Sequence, residues 1–139
     1  MKRVQLIALD MDGTLLSSDH QTVPQKNIDA IRRADTAGIH VCICTGRMLE
    51  DASDFITSLQ LPCMIIACNG TRISDGPLPK GHILYRRSFK PEDAKRVLDL
   101  LLPYRIMING FEDGRVNTVA FASGQHYHLT DRGLIDASY

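Results

Sequence analysis

The chain has 139 residues, 44% of them hydrophobic and 23% charged. That is the profile of a folded globular protein rather than a disordered one, and the length suits one ordinary domain. Lys and Arg (16) balance Asp and Glu (16) to a formal net charge of zero, which argues against nucleic acid and anionic membrane as partners, and no segment approaches the roughly 20 consecutive apolar residues of a membrane helix.

The opening stretch "MKRVQLIALD" has a short basic start, but its apolar run stops at Asp10 without a small-residue cleavage site. It reads as a strand rather than a signal peptide, and the cytoplasm is the expected compartment. Val4 to Leu9, His40 to Cys44 and Cys63 to Cys68 are apolar runs, continuous rather than alternating, which predicts strands of a parallel sheet covered on both faces. Between the first two, "VPQKNIDAIRRADTAG" reads as a helix: Pro24 suits the first turn, Ile28, Ile31 and Ala34 keep helical spacing, and Gly38 suits the exit. Between the second and third, "RMLEDASDFITSLQLP" carries Leu49, Ala52, Phe55, Ile56 and Leu59 on one stripe, with Pro62 as a stop. The pattern is β-α-β-α-β, a Rossmann-like parallel sheet with right-handed crossovers.

Beyond Asn69-Gly70 the pattern changes. "TRISDGPLPKGHILYRRSF" predicts two short strands around a Gly/Pro-rich turn, and "KPEDAKRVLDLLLPY" a helix with Pro91 near its start and Val97, Leu98, Leu101 and Leu102 as its apolar side. "RIMING" and "RVNTVAF" read as strands joined by the turn "FEDG", and the tail after Ser123 shows no defined element. The expected organisation is an α/β core over 1–88, with a hairpin at 70–88, followed by the beginning of a small α+β unit over 89–139. Cys42, Cys44, Cys63 and Cys68 form no C-x-x-C pair and read as small buried hydrophobes in a reducing compartment.

Asp10 and Asp12 stand one residue apart at the end of the first strand, and two carboxylates so close repel each other unless a cation or a shared proton separates them. Open parallel sheets bind ligands at the carboxyl ends of their strands. Three such ends are legible: Asp10-Met11-Asp12-Gly13-Thr14, Thr45-Gly46-Arg47 and Asn69-Gly70. Carboxylates suit Mg²⁺, one can serve as a nucleophile and the other as proton donor and acceptor, and Thr45 with the Gly46 amide at a helix start suits an oxyanion. Together these groups point to Mg²⁺-assisted phosphoryl transfer. Arg47 reads as a substrate contact or a surface arginine, and Asn69 as a hairpin-turn residue or a lining of the site. His20 reads as a solvated loop histidine, with a lid role as the alternative. His126 and His128 read as strand surface, lacking a third ligand.

"DMDGTLL" after an apolar strand, followed by "CICTGR", resembles the haloacid dehalogenase (HAD) superfamily, and "ACNG" resembles its Cof-type sugar-phosphatase branch. The resemblance implies that Asp10 is the nucleophile and a Mg²⁺ ligand. It makes Asp12 the general acid/base, with its backbone carbonyl on the metal, and it places Thr45, Gly46 and the Met11 amide on the transferring phosphate. Members that cleave carbon–halogen bonds or pump ions usually lack the second aspartate, so Asp12 implies phosphate-ester chemistry. One loop and one helix fill the interval from Asp10 to Thr45, so any cap must follow the third strand. The unit from about Lys90 resembles the opening of a type-IIB α/β cap.

Two family features are missing from this sequence: the third-motif Lys or Arg, and the fourth-motif acidic pair in its "GDxxND" context. "LTDRGLID" brings Asp131 and Asp136 without a preceding apolar strand or a GD start, so the chain resembles the N-terminal half of such a phosphatase. The function this implies is Mg²⁺-dependent hydrolysis of a small phosphomonoester, a sugar phosphate above all, through an aspartyl-phosphate. The rivals are a catalytically incompetent remnant that only binds phosphate, and a phosphotransferase or phosphomutase. With no strand beyond Val4 to Leu9, the chain is expected to self-associate, to pair with a polypeptide supplying the missing half, or to be a piece of a longer protein.

Overall fold

A computed structural model describes residues 3–112, 115–122, 125–130 and 133–136, with side chains as far as residue 110. The chain divides into two compact units, residues 1–87 and 88–139.

In the first unit, β1 (Leu6–Asp10), β2 (His40–Cys44) and β3 (Cys63–Ala67) are parallel neighbours in that order. β4 (Arg72–Ser74) and β5 (Ile83–Arg86) continue the sheet antiparallel beyond β3. α1 (Gln25–Thr36) joins β1 to β2, and α2 (Leu49–Leu59) joins β2 to β3. Right-handed crossovers stepping in one direction place both helices on the same face, and Arg32 of α1 donates to the Leu59 carbonyl of α2 at 3.3 Å. This is a Rossmann-like α/β fold.

α1 ends as its sequence predicts, whereas Pro24, expected in its first turn, stands at the N-cap just ahead of Gln25. α1 gives way to Gly38 at φ +73°, where Ile39 N–H returns to the Ala34 carbonyl at 2.9 Å, the left-handed exit that glycine makes cheap. The core gathers where β2 and β3 meet α2: Ile43, Ile65, Leu49, Ala52 and Ile56 have no exposed surface, and each large aliphatic among them contributes about 1.5–3 kcal/mol of burial. β2 buries Val41, Cys42 and Ile43 in succession, as a strand covered on both faces should.

β1 departs from that expectation. Among the described residues it pairs only with β2, it alternates between exposed and half-buried positions, and Leu6 is 53% exposed. The apolar composition of the run marks a strand built for the middle of a sheet, but here it stands at the edge. Beside it runs an apolar groove of about 220 Å³ lined by Ile7, Leu9, Leu15, Ala30, Ile31 and Ala34. α2 also begins later than its pattern suggested, at Leu49, because residues 45–48 form a separate turn.

In the second unit, α3 (Pro91–Leu101) carries Pro91 in its first turn, where the missing N–H costs nothing. β6 (Ile108–Glu112), β7 (Arg115–Ala122), β8 (Gln125–Thr130) and β9 (Gly133–Asp136) make a four-stranded antiparallel sheet in chain order. Two expectations are corrected here. Phe111 and Glu112 belong to β6, paired with Val116 and Arg115, rather than to a four-residue turn. The tail after Ser123 supplies two strands, β8 paired with β7 and β9 with β8; strand preference depends on cross-strand neighbours more than on local composition, so the segment alone gave no signal.

Candidate active site

β1 and β2 end side by side, with Asp10 opposite Cys44, so Asp10 and Thr45 leave the sheet from adjacent strands about 5 Å apart. Asp10 is exposed, and among the described residues its carboxylate makes no hydrogen bond or ion pair. After Asp10 the chain turns sharply. Gly13 takes φ +80°, Leu16 N–H reaches back to the Met11 carbonyl at 2.9 Å, and Asn27 of α1 donates to the Leu15 carbonyl at 3.0 Å. The Met11 side chain has no exposed surface and anchors this turn in the core, so the carboxylates on either side of it face outward.

The second strand end is built by zipping two turns together. Thr45 N–H extends the β2–β3 ladder to the Ile66 carbonyl at 2.9 Å, the Thr45 carbonyl accepts Asn69 N–H at 3.2 Å, and the Arg47 carbonyl accepts Cys68 N–H at 2.9 Å. The Thr45 hydroxyl accepts Arg47 N–H at 3.1 Å. The sequence predicts that Thr45 opens a helix; it closes this turn instead, four residues ahead of α2, and the N-cap position falls to Met48. Gly46 is therefore not at a helix N-terminus, and a site there rests on turn amides rather than on a helix dipole.

Cys68, Asn69 and Gly70 take φ of +50°, +53° and +91° in succession. Left-handed conformation is costly for non-glycine residues, and runs of it cluster where a backbone must be aimed. Here it lays the Asn69 amide against Gly46: a Cβ on Gly46 would lie 3.1 Å from Asn69 Oδ1. Asn69 thus belongs both to the connection into β4 and to the strand-end cluster.

Arg47 crosses the crevice to Asp12. Its Nε donates to Oδ2 at 3.0 Å and its Nη2 to Oδ1 at 2.6 Å, a bidentate pair of the strong, geometrically specific kind. Those Arg47 hydrogen bonds hold the Asp12 carboxyl below the usual carboxylate range, partly offset by desolvation and helped by the Arg47 charge and by His20. His20 Nδ1 lies 3.4 Å from Asp12 Oδ1. The sequence predicts a solvated loop histidine at His20, and nothing in the local pattern marks this contact; only the path of the loop brings the ring to Asp12. Asp10, Asp12, Met11, Thr45, Gly46, Arg47 and Asn69 thus share the C-terminal end of the parallel strands. Asp131 and the side chains of His126, His128 and Asp136 lie outside the described residues.

Residues 7–130 match the family model of the haloacid dehalogenase-like hydrolases. The chain belongs to that family. It is 38% identical over 111 residues to the 5-amino-6-(5-phospho-D-ribitylamino)uracil phosphatase YwtE of Bacillus subtilis, covering 79% of this chain and 36% of that protein. With the HMP-PP phosphatase of Klebsiella pneumoniae it shares 33% identity over 137 residues, covering 91% of this chain and 48% of the relative. A solved haloacid dehalogenase-like hydrolase from B. subtilis superposes with a TM-score of 0.73 at 32% identity, over 81% of this chain and 38% of that one. A subclass IIB sugar phosphatase shares the fold at TM-score 0.65 and 21% identity, over 83% of this chain and 44% of the other. The chain thus spans between about a third and a half of the length of these HAD relatives.

Proposed function

We propose that this HAD chain carries the nucleophile and acid–base half of a Mg²⁺-dependent phosphatase acting in the cytoplasm on a small phosphorylated metabolite, a sugar phosphate being the expected class. The observation that supports the reading is the pairing of β1 and β2, which brings Asp10 to the strand end where Thr45 leaves β2, together with the Asp12–Arg47 pair. An Asp10 oxygen attacks the phosphorus of the monoester, and the bond to the leaving oxygen breaks as Asp12 delivers a proton to it. Water then attacks the aspartyl-phosphate, Asp12 takes up its proton, and phosphate leaves with Asp10 restored. The Thr45 hydroxyl and the Met11 and Gly46 amides hold the phosphoryl oxygens, and Asn69 with Arg47 lines the entrance.

The donor set fits Mg²⁺ in part. The Asp10 carboxylate and the Asp12 backbone carbonyl are the hard oxygens this half would provide, and Mg²⁺ usually takes only one or two carboxylates beside waters and phosphate oxygens. Among the described residues no group of three or more His, Cys, Asp or Glu side chains could hold a metal, so weak binding is expected. When bound, the ion neutralises phosphate charge and so eases attack by an anionic carboxylate. Residues 88–139 would open the cap that selects the substrate. No helix among the described residues is long and apolar enough to cross a membrane, and the cysteines described are all free thiols, which suits the compartment proposed.

The test is phosphate release from a panel of phosphomonoesters, with and without Mg²⁺, by the wild-type chain and by Asp10→Asn. Mg²⁺-dependent release that Asp10→Asn abolishes is the expected result. Undiminished turnover by Asp10→Asn would sink the assignment, and phosphate binding without turnover by the wild type would favour the binding-only remnant.

A further inference from the structure

The loop between β1 and α1 is knitted to itself over residues 17–22. Ser17 N–H donates to the Thr22 carbonyl at 2.8 Å and His20 N–H to the Ser17 carbonyl at 3.0 Å. The Asp19 carboxylate accepts Gln21 N–H at 3.0 Å, Thr22 N–H at 2.9 Å and the Thr22 hydroxyl at 2.5 Å. Within this closure His20 takes φ +56°, a left-handed conformation unfavourable for any residue with a Cβ. A strained residue persists only where its surroundings over-determine it, and here the strain turns both ends of His20 toward the crevice. Its ring Nδ1 stands 3.4 Å from Asp12 Oδ1, and its carbonyl accepts a hydrogen bond from Arg47 Nη2 at 3.2 Å. The same Arg47 grips both oxygens of Asp12, so Asp12, Arg47 and His20 close a ring of contacts.

We propose that this ring is a positioning device: Arg47 and His20 orient the Asp12 carboxylate, neither of them grips the substrate, and the 17–22 loop is their support. The proposal rests on reading Asp12 as the acid–base of the reaction. A carboxylate held at both oxygens has lost its freedom to rotate, and a general base misplaced by even an ångström loses most of its effect. Arg47 suits this task because its guanidinium is a rigid fork, which the point charge of a lysine does not reproduce. Its Nε and Nη2 are committed inside the ring, to Asp12 and to the His20 carbonyl. His20 needs a residue that tolerates the left-handed region and offers a short donor. Asparagine meets both conditions, whereas glycine meets only the first.

The experiment compares Arg47→Lys, His20→Gly, His20→Asn and Asp19→Ala with the wild-type chain. One arm measures hydrolysis of p-nitrophenyl phosphate. The other follows the Arg47 side-chain Nε–Hε resonance by NMR, identified by its loss in Arg47→Lys, in these proteins and in Asp12→Asn. Arg47→Lys, His20→Gly and Asp19→Ala are expected to lower kcat about tenfold or more with KM within about twofold, the signature of lost transition-state positioning, while His20→Asn stays near wild type. The Arg47 resonance should move in Asp12→Asn and in His20→Gly. Three results would overturn the proposal: a raised KM with unchanged kcat in Arg47→Lys, His20→Asn as impaired as His20→Gly, or an Arg47 resonance indifferent to Asp12→Asn. A wild-type chain that shows the resonance yet hydrolyses nothing would contradict the phosphatase reading while confirming the orienting contacts.

Discussion

Replacing Gly46 with alanine tests the zipped turns directly. The added Cβ would lie 3.1 Å from Asn69 Oδ1, 3.6 Å from Nδ2 and 3.7 Å from Cγ, tighter than a methyl group packs comfortably. The Asn69 backbone is held by its N–H on the Thr45 carbonyl, so its exposed side chain makes room only by swinging out of its place beside Gly46. Overpacking of this kind costs about 1–2 kcal/mol, which for a unit of this size lowers Tm by about 4–8 °C per kcal/mol. Thermal unfolding followed by circular dichroism would measure it. The second site supplies the control. Asn69→Gly removes the opposing amide and suits φ +53°, so the strain it relieves, about 1 kcal/mol, is nearly offset by its extra freedom in the unfolded chain. Asn69→Gly alone should therefore be close to neutral, and added to Gly46→Ala it should restore most of the lost stability. A Gly46→Ala protein as stable as wild type, or one that Asn69→Gly fails to rescue, would refute the packing of the two turns.

Three further outcomes are expected. The exposed edge of β1 and the apolar groove beside it should make the purified chain self-associate, so sedimentation should show concentration-dependent species larger than a monomer; a monodisperse monomer would mean that this edge is covered. Asp19 has its carboxyl pulled down from 3.8 to about 2, by the Thr22 hydroxyl first and then by the Gln21 and Thr22 amides. A depressed folded-state value means the contribution is whole above about pH 4 and fades as pH falls toward 2, so the Gln21 and Thr22 amide shifts should titrate near pH 2, and a midpoint near 3.8 would count against the knitted loop. Ser53 has its hydroxyl buried without a partner among the described residues, so Ser53→Ala should raise stability by about 1 kcal/mol in urea unfolding, and a loss would point to an unseen partner for that hydroxyl.

Much of this arrangement can be read from the residues. Apolar runs ending in Asp10, in Thr45 and near Asn69 declare three strands and the end at which they work, because a parallel sheet needs covered strands and its loops gather at one edge. Gly38 and Pro91 mark helix boundaries through backbone geometry that depends on the residue itself. What stays hidden depends on partners far along the chain. The edge position of β1 is a matter of which neighbours exist, not of its own composition. The early turn at 45–48 reflects hydrogen bonds from residues 68 and 69 that outcompete helix initiation. β8 is set by pairing with β7, and β9 by pairing with β8. His20 reaches Asp12 only because Asp19 folds the loop back, and no periodicity announces a contact of that kind.

The central claim is that Asp10 is the residue phosphorylated in turnover. Acid quench of the wild-type chain during incubation with a phosphomonoester and Mg²⁺, followed by peptide mass spectrometry, tests it most directly. The expected result is a phosphoryl group on the peptide that contains Asp10, carried by the aspartate itself and lost on mild alkaline treatment as an acyl phosphate should be. Hydrolysis that proceeds with no labelled peptide, or with the label on any other residue, would contradict it.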